Sequence, residues 1–323
     1  MIFEKQIVNA YKGMMHVRCD DNGTAFYFSA KDFFGLKCEE YAFLSSGGNK
    51  LQGYIYSYEN SCNNNGRIVV FDHGFGGGHR AYMKEIERLC AHGYLVFAYD
   101  HTGCMESEGA SAGGMAQSLC DLNDCICTLK SDDRFKNLDI SVMGHSWGGF
   151  STLNISALHK DISHVVVLSG FVSVNALVST FFDGIMKGYR KPILELERKS
   201  NQKFVDFDAV ESLKDSDANV LLIYSDNDQL VKKSHFNTLK EGLSHKPNVK
   251  LVLEHNKGHN PNYTEDAVNY LGQYLEKKKK LESKKKLSTD EQKREFISSF
   301  DWERMTKQDD RVWNMVFECL DKS

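Results

Sequence analysis

Six short apolar runs, alternating with stretches of helical periodicity, constrain this chain more than any other feature. The runs are RIVVFDHG (67–74), YLVFAYD (94–100), DISVMGHS (139–146), HVVVLSGF (164–171), NVLLIYSD (219–226) and VKLVLEH (249–255). Helical patterns fill 79–92, 114–130 and 147–159, and more lie between and after the last two strands. Short strands without a polar face, each followed by a helix, mean a parallel sheet buried on both sides. Residues 1–60 read differently. They alternate apolar and polar positions, with turn signals at DDNG and SSGGNK, and LQGYIYSYE (51–59) has the strand period of two. The expectation is an antiparallel lead-in over 1–60 and a mostly parallel, doubly wound α/β core over 61–171 and 220–276.

One connection is too long for such a sheet. Residues 172–219 separate two strands and carry ALVSTFFDGIMKGY and KPILELERKSNQKF, both readable as amphipathic helices. An insertion of this size is usually functional, and it joins strands whose C-terminal ends flank the centre of the sheet. It is read as a helical lid. Residues 277–323 form a C-terminal helical extension. A capping box, Ser288 with Glu291, is expected to open one helix there. Thr306 is expected to cap a last helix over 307–320, whose apolar face of Val312, Val316, Phe317 and Leu320 should dock on the body.

Composition excludes several classes. Net charge is −4, with 41% hydrophobic and 26% charged residues, so nothing points to a nucleic-acid partner. LEKKKKLESKKKL (275–287) concentrates seven lysines without interleaved aromatics, which reads as a solvated face. No window reaches the length of a membrane span, and MIFEKQIVNAYKG is not a signal peptide. Nine irregularly spaced cysteines, including Cys62, argue against a disulfide framework and for reduced thiols in a cytoplasmic protein. Cys120, Cys125 and Cys127 share a helix but have no matching second ligand pair, so a structural role is expected and no metal site.

The run ending at residue 146 leads into Gly144-His145-Ser146-Trp147-Gly148. A sharp strand-to-helix turn strains its middle residue and needs small neighbours two positions away. The spacing lifts the serine Oγ above the sheet edge and aims a helix N-terminus at it. A hydroxyl becomes a nucleophile only when a base takes its proton, and the base needs an orienting carboxylate. Such groups collect at C-terminal strand ends. There YSDNDQLV offers Asp226 and Asp228, and LEHNKGHNP offers His255 and His259. Asp228 is preferred as the acid, with Asp226 in the turn. His259, in a loop after Gly258, is preferred as the base, and His255 closes the strand and is expected to be half-buried. The glycine-rich HGFGGGHR follows the first core strand. Its Phe75 N–H and the Trp147 N–H are the candidate oxyanion donors. No lysine follows these glycines, which excludes a P-loop.

Together HGFGGG, GYLVFAYDHTGCMESEG, GHSWGG, YSDNDQLV and NKGHN fall in the order and spacing of the α/β-hydrolase superfamily. Over about residues 50–275 the sequence resembles its serine-aminopeptidase-type and monoglyceride-lipase-like (lysophospholipase-like) bacterial members. The resemblance implies Ser146 as nucleophile, Asp228 as acid, His259 as base, Phe75 and Trp147 as oxyanion donors, and no metal or organic cofactor. It leaves the substrate open among esters, thioesters and peptides. The apolar lid residues Phe171, Val172, Leu177, Phe181, Phe182, Ile185 and Met186 favour a small-molecule ester of modest acyl or aromatic size. An aminopeptidase would need carboxylates to hold a free amine, for which Glu195, Glu197 and Asp183 are candidates. A catalytically silent binding scaffold, or a non-hydrolytic enzyme on the same fold, is the contrasting class, and the intact Ser, Asp and His argue against the silent scaffold.

Overall fold

A computed structural model describes residues 2–59 and 66–322 of the chain; Cys62 and the asparagines at 63–65 lie outside the described residues. Eight strands make one sheet: β1 (Leu36–Leu44), β2 (Lys50–Tyr58), β3 (Arg67–Asp72), β4 (Leu95–Tyr99), β5 (Asp139–His145), β6 (His164–Leu168), β7 (Asn219–Ser225) and β8 (Val249–Glu254). Their order is β1-β2-β4-β3-β5-β6-β7-β8. β1 and β2 pair antiparallel, β2 pairs antiparallel with β4, and every neighbour from β4 to β8 is parallel. The winding reverses at β3, which lies between β4 and β5, so a crevice opens above the C-terminal ends of β3 and β5.

Side chains of the central strands alternate between two apolar layers. Val70, Val142, Val167 and Leu222 face one; Val69, Met143, Val166 and Leu221 face the other. Both layers are covered, which is why these strands read as continuous apolar runs. The covering helices are α1 (Ile2–Met15), α2 (Met83–Ala91), α3 (Gln117–Ser131), α4 (Ser146–Asn154), α5 (Val174–Phe181), α6 (Arg190–Ser200), α7 (Ala209–Lys214), α8 (Lys233–Leu243), α9 (Glu265–Ser283), α10 (Asp290–Ser298), α11 (Trp302–Met305) and α12 (Asp310–Leu320).

The structure differs from the sequence reading in three places. The first 60 residues are not all lead-in strands: α1 occupies their start. Its Ile7, Val8, Tyr11 and Met15 recur at helical spacing and pack on the same layer as the insertion. The long connection divides in two. α5, a 3-10 turn at Gly184–Tyr189 and α6 stand with α1, whereas α7 returns to the body, where Ser212 Oγ donates to Asn154 of α4 at 2.7 Å in a buried bond. The C-terminal caps sit later than expected. Thr289 with Gln292 opens α10, one residue on from Ser288 and Glu291, and the Gln292 carboxamide oxygen also accepts from the Ser288 N–H. Asp309 caps α12, because Thr306 Oγ1 is engaged in closing α11 on the Trp302 carbonyl.

α9, α10 and α11 bury Tyr274, Phe296 and Met305 in a cluster of their own. α12 then lays Val312, Trp313, Val316 and Leu320 on the layer that also holds α2, with Phe317 stacked on His92 at 3.7 Å. Among the described residues no helix is long and apolar enough to cross a membrane.

Candidate active site

β5 ends at His145 and α4 begins at Ser146, with no residue between them. Ser146 has φ 56°, the left-handed region that side chains avoid. The flanking glycines are required by contact. A Cβ on Gly144 would run into Thr152 Oγ1 and the Gly148 carbonyl, and one on Gly148 into the Asp72 carbonyl of β3. The elbow is therefore wedged against the neighbouring strand, and the strained serine is held from both sides.

β7 ends at Ser225, and the turn after it presents two aspartates in opposite directions. Asp228 is 4% exposed. Its Oδ1 accepts from the Leu230 and Val231 N–H groups at 2.8 and 3.0 Å, and its Oδ2 faces His259 Nδ1 at 2.7 Å. A carboxylate at Nδ1 puts the ring proton there and leaves Nε2 as the basic nitrogen. Asp226 pairs instead with His255, whose side chain is 80% exposed rather than half-buried. His255 directly follows β8 and projects outward, whereas the 256–258 turn carries the chain back towards the crevice.

The loop after β3 is held from beneath. Burial pushes His73 down to about 3, so the ring is neutral; its Nδ1 donates to the Gly74 carbonyl and its Nε2 accepts from the His101 N–H. Next to it runs a chain of hydrogen bonds. The Gly74 N–H donates to Tyr82 Oη at 3.1 Å, Tyr82 donates to His145 Nδ1 at 2.8 Å, and His145 Nε2 donates to the His259 carbonyl at 2.7 Å. Burial, then the neighbouring His259, pushes His145 down to about 3, which keeps it neutral and able to accept from Tyr82. Tyr82 and His145 thus tie the glycine-rich loop, the serine elbow and the histidine loop to one another. Sequence reasoning missed both, because no spacing rule assigns a role to the residue before an elbow serine.

Under the elbow lies a buried ionic group. His101 sits between Asp72, at 3.0 Å, and Asp121, at 3.3 Å. Burial alone would push this imidazole down; the two carboxylates outweigh it and hold it up to about 10. Tyr99 also donates to Asp72 at 2.8 Å, and the His101 ring lies 4.6 Å from the Trp147 indole. The Trp147 Nε1 donates to the Met115 carbonyl at 2.8 Å, fixing the residue that follows the elbow serine.

Ser146, His259, Phe75 and Trp147 line one cavity of about 290 Å³. Its remaining walls are Met15 of α1, Phe171, Leu177 and Phe181 around α5, and Leu230 and Val231 beside Asp228, with Tyr82 and His145 at the polar end. Met15, Met115, Leu230 and Val231 are walls that the sequence reading did not supply. The three lid carboxylates lie elsewhere. Glu195 is exposed, and Asp183 pairs on the surface with Arg190 and Lys187. Glu197 is 1% exposed and accepts from Tyr11 Oη at 2.8 Å and the Met115 N–H at 2.7 Å, with His16 Nε2 at 2.8 Å. Among the described residues no group of three or more His, Cys, Asp or Glu side chains is arranged to hold a metal; Cys125 is buried in α3 while Cys127 is exposed on its other side.

A family model described as "Serine aminopeptidase, S33" matches residues 63–207, which span β3, the elbow and most of the insertion. The chain has the α/β-hydrolase fold. Its fold is shared with an esterase of Pyrococcus furiosus, Pf2001, at TM-score 0.57 and 21% identity, over 74% of this chain and 88% of that one. The α/β-hydrolase GrgF of a Penicillium species aligns at TM-score 0.52 and 15% identity, over 69% and 91%. A structure from a study of the carboxylesterases of the thaumarchaeon Nitrososphaera gargenis aligns at TM-score 0.50 and 16% identity, over 68% and 91%. No curated protein matches the sequence.

Proposed function

We propose that this hydrolase cleaves carboxylic esters with small to medium acyl or aromatic groups, by two-step acyl transfer. Ser146 Oγ attacks the carbonyl carbon as His259 Nε2 takes its proton, and Asp228 holds the ring in its tautomer and stabilises the charged form. The Phe75 and Trp147 N–H groups donate to the oxyanion. His259 protonates the leaving alcohol. It then takes a proton from water, which attacks the acyl-enzyme, releases the acid and regenerates Ser146.

The observation that carries the choice of substrate is the lining of the cavity. Its walls are apolar, its polar groups gather at Ser146, and no carboxylate is among its lining residues. A free amine buried there would lack a counter-charge. Glu197, the best placed of the three candidates, is already committed to Tyr11, His16 and Met115. Hydrolysis of p-nitrophenyl esters from acetate to decanoate, with wild type beside Ser146→Ala, tests this reading. We expect a chain-length optimum in the wild type and a loss of at least 1,000-fold in the variant, from the usual scale for a triad nucleophile. Cleavage of aminoacyl arylamides in preference to every ester would replace the ester reading with the aminopeptidase one.

A further inference from the structure

The loop that carries His259 is built from unfavourable backbone. Asn256 and Gly258 both have positive φ, 56° and 55°, on either side of Lys257. On its inner side three successive amides are held by the turn after β7. Asn256 N–H donates to Asp226 Oδ1 at 3.1 Å, Lys257 N–H to Ser225 Oγ at 3.0 Å, and Gly258 N–H to Asn227 Oδ1 at 2.8 Å.

Its outer side is held by a segment some 50 residues later in the chain. The Lys257 side chain is buried, and its Nζ donates to the Tyr263 carbonyl at 2.6 Å and to Asp309 Oδ2 at 2.7 Å. Asn262 Nδ2 donates to Gln308 Oε1 at 2.8 Å. The two backbones also join: Thr264 N–H donates to the Lys307 carbonyl and Asp309 N–H to the Asn262 carbonyl. Gln308 is fixed in turn, since Trp313 of α12 donates to its Oε1 at 2.8 Å. These bonds do not reach the cavity, so nothing in the reaction itself requires them.

We propose that Asp309 and Gln308, acting through Lys257 and Asn262, are positioning residues for His259, and that holding this loop is the role of residues 307–309 of the C-terminal extension. This rests on His259 being the base, as argued above. A loop with two left-handed residues departs from the favoured backbone regions, and it keeps that shape only where its surroundings hold it. Displacement of a catalytic group by about 1 Å costs on the order of 100-fold in rate. The brace acts on the chemical step and not on the acyl pocket, so its loss reduces kcat and leaves KM in place.

The test uses the full chain carrying Asp309→Asn or Lys257→Met. Asparagine keeps the α12 cap, in which Asp309 accepts from the Arg311 N–H, and methionine keeps the buried stem. Both variants are assayed on the best ester, with active sites counted by fluorophosphonate labelling, and amide hydrogen exchange is followed over 256–264. We expect kcat per labelled site to fall at least tenfold, KM to stay within twofold, and exchange of the loop to quicken. Exchange unchanged in both variants would show that there is no clamp. Faster exchange with unchanged kcat, or a loss confined to KM, would show that the clamp does not serve catalysis. Ser146→Ala, run alongside, separates the two claims: activity surviving in it overturns the site assignment itself.

Discussion

Ser146 holds a backbone conformation that costs a side-chain-bearing residue about 1 kcal/mol and glycine almost nothing. Ser146→Gly should therefore raise the midpoint of thermal unfolding by a few degrees while abolishing ester hydrolysis. An unchanged or lower midpoint would mean that the elbow stores no strain. This residue was legible in the sequence because sterics dictate its neighbours: Gly144 and Gly148 face backbone and side-chain atoms that leave no room for a Cβ. Asp228 and His259 were legible because topology brings the ends of successive strands together. Tyr82 and His145 were not. Their bonds join three segments whose relative placement follows only from the packed sheet, and neither residue type announces such a role.

At the scale of elements, the six core strands matched their apolar runs because a strand buried on both faces has no other composition available. α1 was misread. Its four packing residues are spaced for a helix, but its outer face is long and mixed, and Phe3 and Met14 stay exposed. The helix owes its position to α6, through Glu197. That carboxylate binds Tyr11, His16 and the Met115 amide, and so joins α1, the insertion and the rim of the cavity. Glu197→Ala leaves these buried donors unpaired, at a cost of about 1–3 kcal/mol. We expect a lower unfolding midpoint and an ester chain-length optimum displaced towards longer acyl groups, since Met15 loses its support. An identical chain-length profile in the variant would remove α1 from the determinants of the pocket.

Across the whole molecule, the C-terminal extension and the hydrolase core share one buried acid. Glu85 of α2 accepts from Asn262 Nδ2 at 2.8 Å and Gln308 Nε2 at 3.1 Å. Burial is the dominant influence and pushes Glu85 up to about 7, against the hydrogen bonds, which favour the anion. Below about pH 4.5 the carboxyl is protonated in both folded and unfolded chains. Between there and about 7 only the folded chain keeps the proton, so stability falls as pH rises through this window and then levels off. The contribution is about 3 kcal/mol. Glu85→Gln should flatten the fall in unfolding midpoint between pH 5 and pH 8; equal slopes in the two proteins would mean that Glu85 ionises as it does in water. None of this was readable beforehand. A glutamate on an amphipathic helix looks solvated until the tail that covers it is in place.

The brace on the histidine loop also has a consequence in time. Residues 225–227 can hold that loop as soon as both have left the ribosome, but residues 307–309 and Trp313 are made roughly 50 residues after it. Domains begin to fold while synthesis continues, and the sheet from β1 to β8 is complete by Glu254. The nascent protein therefore passes through a stage with its architecture formed and the loop that carries His259 held from one side only. On the proposal made above, full rate comes late, when residues 307–309 close over the loop.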